Sequence, residues 1–112
     1  MKTEKTLSEL QNDSHQQAVK SDWWVSPPSP PESFCLMHSE ISEALEQFRI
    51  GKGLKEIYIQ NGKPEGIPVE LADCVIRIMD FCGFHGIDLA EAIAIKSAYN
   101  ATRTKRHGGK KI

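Results

Sequence analysis

The segment from Val69 to Cys82 limits the possible folds more than any other part of this 112-residue chain. It is apolar on most sides of a helix, not on a single stripe, through Leu71, Cys74, Val75, Ile76, Ile78, Met79 and Phe81. A helix of this composition has to be covered on several sides, so we expect it to be central. Pro68 suits a helix start, and Gly83 and Gly86 suit its end, which predicts a helix from residue 68 to residue 81 or 82.

Two helices are expected before this segment. The first runs from about Leu7 to Lys20, and the proline-rich run 26–31 then forms a stiff connector that no helix can contain. Ser29 and Glu32 have the spacing of a capping box, so a second helix should begin at Pro30 and extend to about Arg49. Its apolar stripe consists of Phe34, Met37, Ile41, Ala44, Leu45 and Phe48.

Residues 51–68 are expected to form a loop with a short extended piece at 56–59. Turn chemistry is present at Asn61-Gly62 and again at residues 63–66. The sequence therefore predicts an all-α protein with four main helices, the last of which follows Asp88.

Two pairs of acidic residues have the spacing that places both side chains on one helix face. Glu40 and Glu43 are three residues apart on the second helix, and Glu70 and Asp73 repeat this spacing on the third. Carboxylates about 6 Å apart repel by roughly 3 kcal/mol per pair at an effective dielectric near 20. If the two helices pack together, the four acids therefore need protons or cations.

An all-oxygen ligand set without cysteine or histidine favours a hard divalent ion, so magnesium is the expected metal, with manganese as the alternative. A di-iron carboxylate bundle would need Glu-x-x-His pairs, and the chain contains none. Acid pairs at this spacing are also common on solvated helix surfaces, and that interpretation stays open at this point.

The fourth helix should begin at Asp88, with Glu91 completing a capping box, and continue to about Thr102. It places an ammonium, an amide and a guanidinium on one face, which suits phosphate and sugar oxygens: Lys96, Asn100 and Arg103. A solvated helix face followed by the basic run 105–111 is the alternative explanation.

Bulk composition excludes several classes of protein. The formal net charge is −1, which gives the chain no strong attraction to nucleic acid or to an anionic membrane. No apolar run is long enough to span a bilayer, and no signal peptide is visible. The three cysteines, Cys35, Cys74 and Cys82, are expected to be buried reduced thiols. The expected compartment is the cytoplasm.

The two acid pairs, separated by 26 residues, resemble the Glu-x-x-Glu … Glu-x-x-Asp motif of the MazG-like all-α nucleoside-triphosphate pyrophosphatases. The strings at 38–46 and 66–73 are also typical of that family, as is Tyr99-Asn100-Ala101-Thr102-Arg103 leading into 107–110. The resemblance covers about residues 7 to 112.

The resemblance implies a four-helix, bundle-like core that assembles as a dimer or a dimer of dimers. It implies hydrolysis of a nucleoside triphosphate to monophosphate and pyrophosphate. Its site residues would be, for the metal, Glu40, Glu43, Glu70 and Asp73, with Glu43 also preferred as the general base, and, for phosphate and sugar, Lys96, Asn100 and Arg103. Relatives that prefer dCTP suggest His15 and Trp24 as contacts to the base.

Two rival functions remain at this stage. A non-catalytic bundle could bind a nucleotide or a protein partner, with the acids serving only structure. A related enzyme could instead act on a phosphoribosyl nucleotide. In either case the chain is expected to form one domain, 1–112, with flexible ends at 1–6 and 108–112. Its thin core also predicts a homo-oligomer.

Overall fold

A computed structural model describes residues 4–103 of the chain. In this range the elements follow in the order α1 (Leu7–Lys20), α2 (Pro30–Arg49), β1 (Tyr58–Gln60), β2 (Lys63–Glu65), α3 (Ile67–His85) and α4 (Leu89–Ala101). The described part is mainly helical, as the all-α prediction requires. None of its helices combines the length and the apolar character needed to cross a lipid bilayer. The predicted flexible end at 108–112 and the basic run 105–111 lie outside the described residues.

Side-chain caps explain where three of the four helices begin: α1, α2 and α4. The Ser29 hydroxyl and the Glu32 carboxylate each accept a hydrogen bond from the other residue's backbone N–H, which is the predicted capping box of α2. Thr6 forms the same arrangement at the start of α1, a capping box that the sequence analysis did not identify. Asp88 caps α4 by accepting a hydrogen bond of 3.0 Å from the Glu91 backbone N–H.

Helix α3 is central, because it packs against both α1 and α2, while α4 lies against α1. The prediction that α3 ends before Gly83 is wrong, since the helix continues to His85 and Gly86 is its left-handed C-cap. Gly83 has a packing role instead. A Cβ atom placed there would lie 2.6 Å from the Cβ atom of His15, so the missing side chain allows α1 to approach α3 closely.

The loop between α2 and α3 contains a small antiparallel hairpin, in which β1 pairs with β2. Asn61 and Gly62 both have positive φ, 53° and 77°, as a two-residue hairpin turn requires. The interpretation of residues 63–66 as a turn is wrong for 63–65, which form β2. Pro64 is tolerated there because each strand of a two-stranded sheet is an edge strand.

The buried apolar set of the described chain is small and consists of Ala44, Ile67, Cys74, Met79 and Cys82. The predicted stripe of α2 is covered only in part: Ala44 is buried, but Phe34, Ile41, Leu45 and Phe48 are exposed. The prediction of three buried cysteines is wrong for Cys35, which is exposed. Packing within one chain therefore leaves much apolar surface uncovered.

Gly66 is expected to be essential for the start of α3. Its φ is 124°, and a Cβ atom there would overlap the carbonyl oxygen of Glu56. Gly66→Ala should therefore lower the free energy of unfolding by roughly 3 kcal/mol or more, because it combines backbone strain with a steric clash. Urea unfolding followed by far-UV circular dichroism measures this.

Gly62→Ala is the matched control for that experiment. Gly62 also has positive φ, 77°, but a Cβ atom there meets nothing within 4 Å. Only the backbone strain remains, so the expected loss is about 1 to 2 kcal/mol. Equal destabilisation by the two substitutions would contradict the proposed clash at Gly66.

Candidate metal centre and adjoining pocket

Packing of α2 against α3 brings three of the four predicted acids together. Carboxylate oxygens of Glu40, Glu70 and Asp73 all lie within 4.8 Å of one another. Glu70 is in the first turn of α3, where the helix dipole favours negative charge. Gly66 is the N-cap of this helix and lies against the Glu56 backbone. The backbone of the preceding loop therefore determines where Glu70 and Asp73 are placed.

Glu43, the fourth predicted acid, does not belong to this cluster and is exposed one turn further along α2. Its negative charge nevertheless contributes to raising the pKa of Glu70, as does that of Glu65 on β2. Glu43 is therefore near the cluster, with a solvent-accessible carboxylate. Glu65 is an additional nearby acid that the sequence analysis did not single out.

The electrostatics of the cluster are unfavourable without a cation. Burial, followed by the charges of Asp73 and Glu40, raises the pKa of the Glu70 carboxyl. Burial and the charge of Glu40 raise the pKa of Asp73, which Arg77 and Lys63 oppose. Among residues 4–103, the Glu70 and Asp73 side chains have no hydrogen bond or ion pair to another side chain or backbone group.

Coulomb's law gives the approximate repulsion between the carboxylates of the cluster. Two charged carboxylate oxygens at the 4.8 Å limit repel by roughly 1 kcal/mol in water and by about 3.5 kcal/mol at an effective dielectric of 20. A hard divalent cation with oxygen ligands would remove this repulsion. The donor set, which contains only carboxylates, fits magnesium or manganese.

Arg77 is a site residue that the sequence analysis missed. Its Nε donates a hydrogen bond of 2.7 Å to Oε1 of Glu40. The signal was present in the sequence, because Arg77 follows Asp73 by four residues and therefore lies on the same face of α3. What the sequence did not show is that α2 would present Glu40 to this face.

A pocket of about 590 Å³ adjoins the acids, between α1 and α3. Its lining comes from α1, α2, α3 and the turn that follows α1. The polar and aromatic lining residues include Asp13, Gln17, Trp23, Glu40, Asp73, Arg77 and Asp80. The metal candidates Glu40 and Asp73 therefore open directly into a space large enough for a small-molecule ligand.

His15 and Trp24, the predicted contacts to the base, are held by the buried carboxylate of Asp80. Nδ1 of His15 lies 2.9 Å from Oδ1 of Asp80, and Nε1 of Trp24 donates to the same oxygen at 2.8 Å. Trp24 also stacks on Phe84, with the ring centroids 3.8 Å apart. Neither His15 nor Trp24 lines the pocket beside the acids, whereas the neighbouring Trp23 does.

The predicted phosphate contacts on α4 and just after its end are exposed and do not line the pocket of their own chain: Lys96, Asn100 and Arg103. The Lys96 ammonium and the Arg103 guanidinium lie over the ring of Tyr99, 4.9 Å and 5.6 Å from its centroid. The described part of a single chain thus brings the acids together but not the cations of α4.

Comparison with protein-family models, with curated proteins and with solved structures found no match to this chain. Any function assigned to this chain therefore rests on the residues and the geometry of its site.

Replacing Glu70 by glutamine should stabilise the protein at pH 7 in EDTA, by about 1 kcal/mol. The pKa of Glu70 is raised above its ordinary value of 4.5, so the folded state binds a proton more readily than the unfolded state. That contribution is favourable below the unfolded pKa and is lost as the pH rises through the folded pKa. The advantage of Glu70→Gln should therefore shrink as the pH falls to 4.

Thermal unfolding at pH 7 and pH 4 measures this difference. Glu46→Gln is the control, because Glu46 is an exposed acid whose charge forms a surface ion pair with Arg49, 3.7 Å away. If Glu70→Gln were less stable than the unmodified chain at pH 7 in EDTA, the repulsion assigned to the cluster would be wrong.

Proposed function

We propose that this protein is a magnesium-dependent pyrophosphohydrolase that cleaves nucleoside triphosphates to monophosphate and pyrophosphate. One observation carries the proposal: three carboxylates from two helices converge at the edge of a ligand-sized pocket, and two of them have no ion-pair partner within residues 4–103. The resemblance of the acid pairs to the MazG-like motif supports deoxynucleoside or non-standard triphosphates as substrates, and with them a cytoplasmic role in cleaning the nucleotide pool.

Glu40, Glu70 and Asp73 would hold the magnesium ion, because their oxygens are close together and two of the three pKa values are raised by burial and mutual repulsion. When bound, the ion would supply charge neutralisation at phosphate oxygens and a lowered pKa for water. Manganese would suit the same donor set.

Glu43 is the proposed general base. Because it is exposed and lies outside the cluster, its carboxylate oxygens stay available to accept a proton from water while the other three acids serve as ligands. In this scheme water attacks the α-phosphorus, Glu43 accepts its proton, and pyrophosphate leaves. The influence of Glu43 on the pKa of Glu70 supports its position beside the centre.

Assembly into a dimer or a dimer of dimers is part of the proposal. The described residues of α4 contain none that are buried, although this helix carries Ile93, Ile95 and Tyr99. The apolar stripe of α2 is also exposed, through Phe34, Ile41, Leu45 and Phe48. Exposed apolar side chains grouped along a helix are typical of a contact surface between chains. A second chain would cover apolar surface and could bring Lys96, Asn100 and Arg103 towards a polyphosphate.

Turnover is tested with a panel of ribo-, deoxyribo- and modified nucleoside triphosphates in the presence of magnesium, assayed for monophosphate and pyrophosphate. Glu70→Gln, Asp73→Asn and Glu43→Gln should each lower the rate on the best substrate by about a hundredfold or more, because they remove a ligand or the base. Glu46→Gln should keep the full rate.

The same experiment separates the rival functions. Stabilisation by magnesium and nucleotide without any turnover would favour a non-catalytic binding bundle. Release of pyrophosphate from a phosphoribosyl nucleotide, but from no triphosphate of the panel, would assign the substrate to the other class. Full activity of both Glu43→Gln and Asp73→Asn would rule out the proposed mechanism.

The assembly is tested by size-exclusion chromatography with light scattering. The chain mass is 12.5 kDa, so a dimer should have about 2 × 12.5 = 25 kDa. Ile95→Glu should shift the population towards monomer by at least about tenfold in dissociation constant, since it places a charge on an apolar contact surface. Gln16→Glu, on the exposed side of α1, is the control. A strictly monomeric unmodified chain would contradict this part of the proposal.

A further inference from the structure

Arg77 has a distinctive place in the pocket. Among the residues that line it in the described part of the chain, Arg77 is the one with a positive charge, whereas Asp13, Glu40, Asp73 and Asp80 are acidic. A pocket of this composition repels anions except at the guanidinium. Among these lining residues, a phosphate that enters the pocket therefore has one cation to contact.

Only part of the hydrogen-bonding capacity of Arg77 is used. Nε donates to Glu40, and the guanidinium carbon lies 5.2 Å from the centroid of the Trp23 ring, which supports the planar group from one side. The terminal nitrogens form no hydrogen bond with the described residues 4–103. The side chain is one third exposed, at 33%, so these N–H donors are accessible from the pocket.

Glu40 is shared between the candidate metal centre and the ion pair with Arg77. Glu40 belongs to the three-carboxylate cluster and also accepts the hydrogen bond of Arg77. A guanidinium and a divalent ion next to the same carboxylate repel each other, so a divalent cation at the cluster weakens the Arg77–Glu40 ion pair. Nε of Arg77 then becomes available, together with the terminal nitrogens, for a second anionic partner.

We propose that Arg77 is a phosphate-binding residue that exchanges its Glu40 partner for a polyphosphate oxygen when a divalent cation occupies the acids. The inference rests on the proposed function, since it assumes a polyphosphate ligand beside the metal centre. Arg77 differs from Lys96, Asn100 and Arg103 in that it lines the pocket beside the acids of its own chain. Arginine is suited to this exchange because its planar fork binds carboxylate and phosphate oxygens with the same geometry.

The test compares Arg77→Met and Arg77→Lys with the unmodified chain, and uses two probes. Manganese binding without phosphate is followed by the electron paramagnetic resonance signal of the free ion. Binding of inorganic pyrophosphate in saturating magnesium is followed by calorimetry. Arg49→Met is the control, because Arg49 is an exposed arginine of α2 whose partner, Glu46, is also exposed.

Arg77→Met should bind manganese about tenfold more tightly, the factor that Coulomb's law gives for a single charge and a divalent ion about 6 Å apart in water. It should bind pyrophosphate on the order of tenfold to a hundredfold more weakly, because a charge-assisted hydrogen bond is lost. A misfolded variant would lose both affinities, so changes of opposite sign are specific to the proposed exchange.

Arg77→Lys keeps the charge but removes the fork. Its manganese affinity should stay within about twofold of the unmodified chain, while its pyrophosphate affinity should fall by roughly tenfold. Unchanged pyrophosphate binding by Arg77→Met, or weaker manganese binding, would overturn the inference.

The proposed function and the role of Arg77 can be rejected separately. If the unmodified chain neither binds pyrophosphate nor releases it from any nucleotide, the proposed function fails and this inference with it. If the unmodified chain is active and the Arg77 variants bind both probes as it does, only the role of Arg77 is wrong.

Discussion

Mutual repulsion of carboxylates at the contact of α2 with α3 is the constraint on which the site depends. Packing forces Glu40 towards Glu70 and Asp73, although two of these acids have no ion-pair partner among residues 4–103. Apolar contacts between the helices have to offset this repulsion in the absence of a cation, and the buried apolar set available for that is small. A cation that neutralised the acids would therefore also strengthen the central helix contact, which would couple stability to cation binding.

The loop before α3 determines how this contact is made. Gly66 passes so close to the Glu56 backbone that no side chain fits, and α3 begins at the next residue. Glu70 consequently lies in the first turn, where the helix dipole partly compensates its burial. At the other end, Gly83 allows α1 to approach, which brings His15 to Asp80. Two glycines with different roles thus position α3 relative to its neighbours, and through it the acids and the pocket.

Local patterns in the sequence were sufficient for much of this structure. Apolar periodicity and caps such as Ser29 with Glu32 predicted all four helices, because these signals act within a few residues. Contacts between helices were harder to predict from the sequence. The i,i+3 spacing identified four acids but could not show that Glu43 would stay exposed, nor that Arg77 would bind Glu40. The choice of Trp23 as the pocket tryptophan depends on the turn that follows α1, where Asp22 adopts positive φ, 61°, and this is a feature of tertiary structure.

The charge of the pocket restricts the order of events in the proposed reaction. Four acids and one arginine line it, so a free polyphosphate meets net repulsion there. The cations of α4 do not relieve this within one chain, since Lys96 and Arg103 lie over Tyr99 and away from the lining. Positive charge has to enter with the nucleotide or before it. We therefore expect the triphosphate to bind as its magnesium complex, and to bind weakly in the absence of divalent ions, when the Arg77 guanidinium is paired with Glu40.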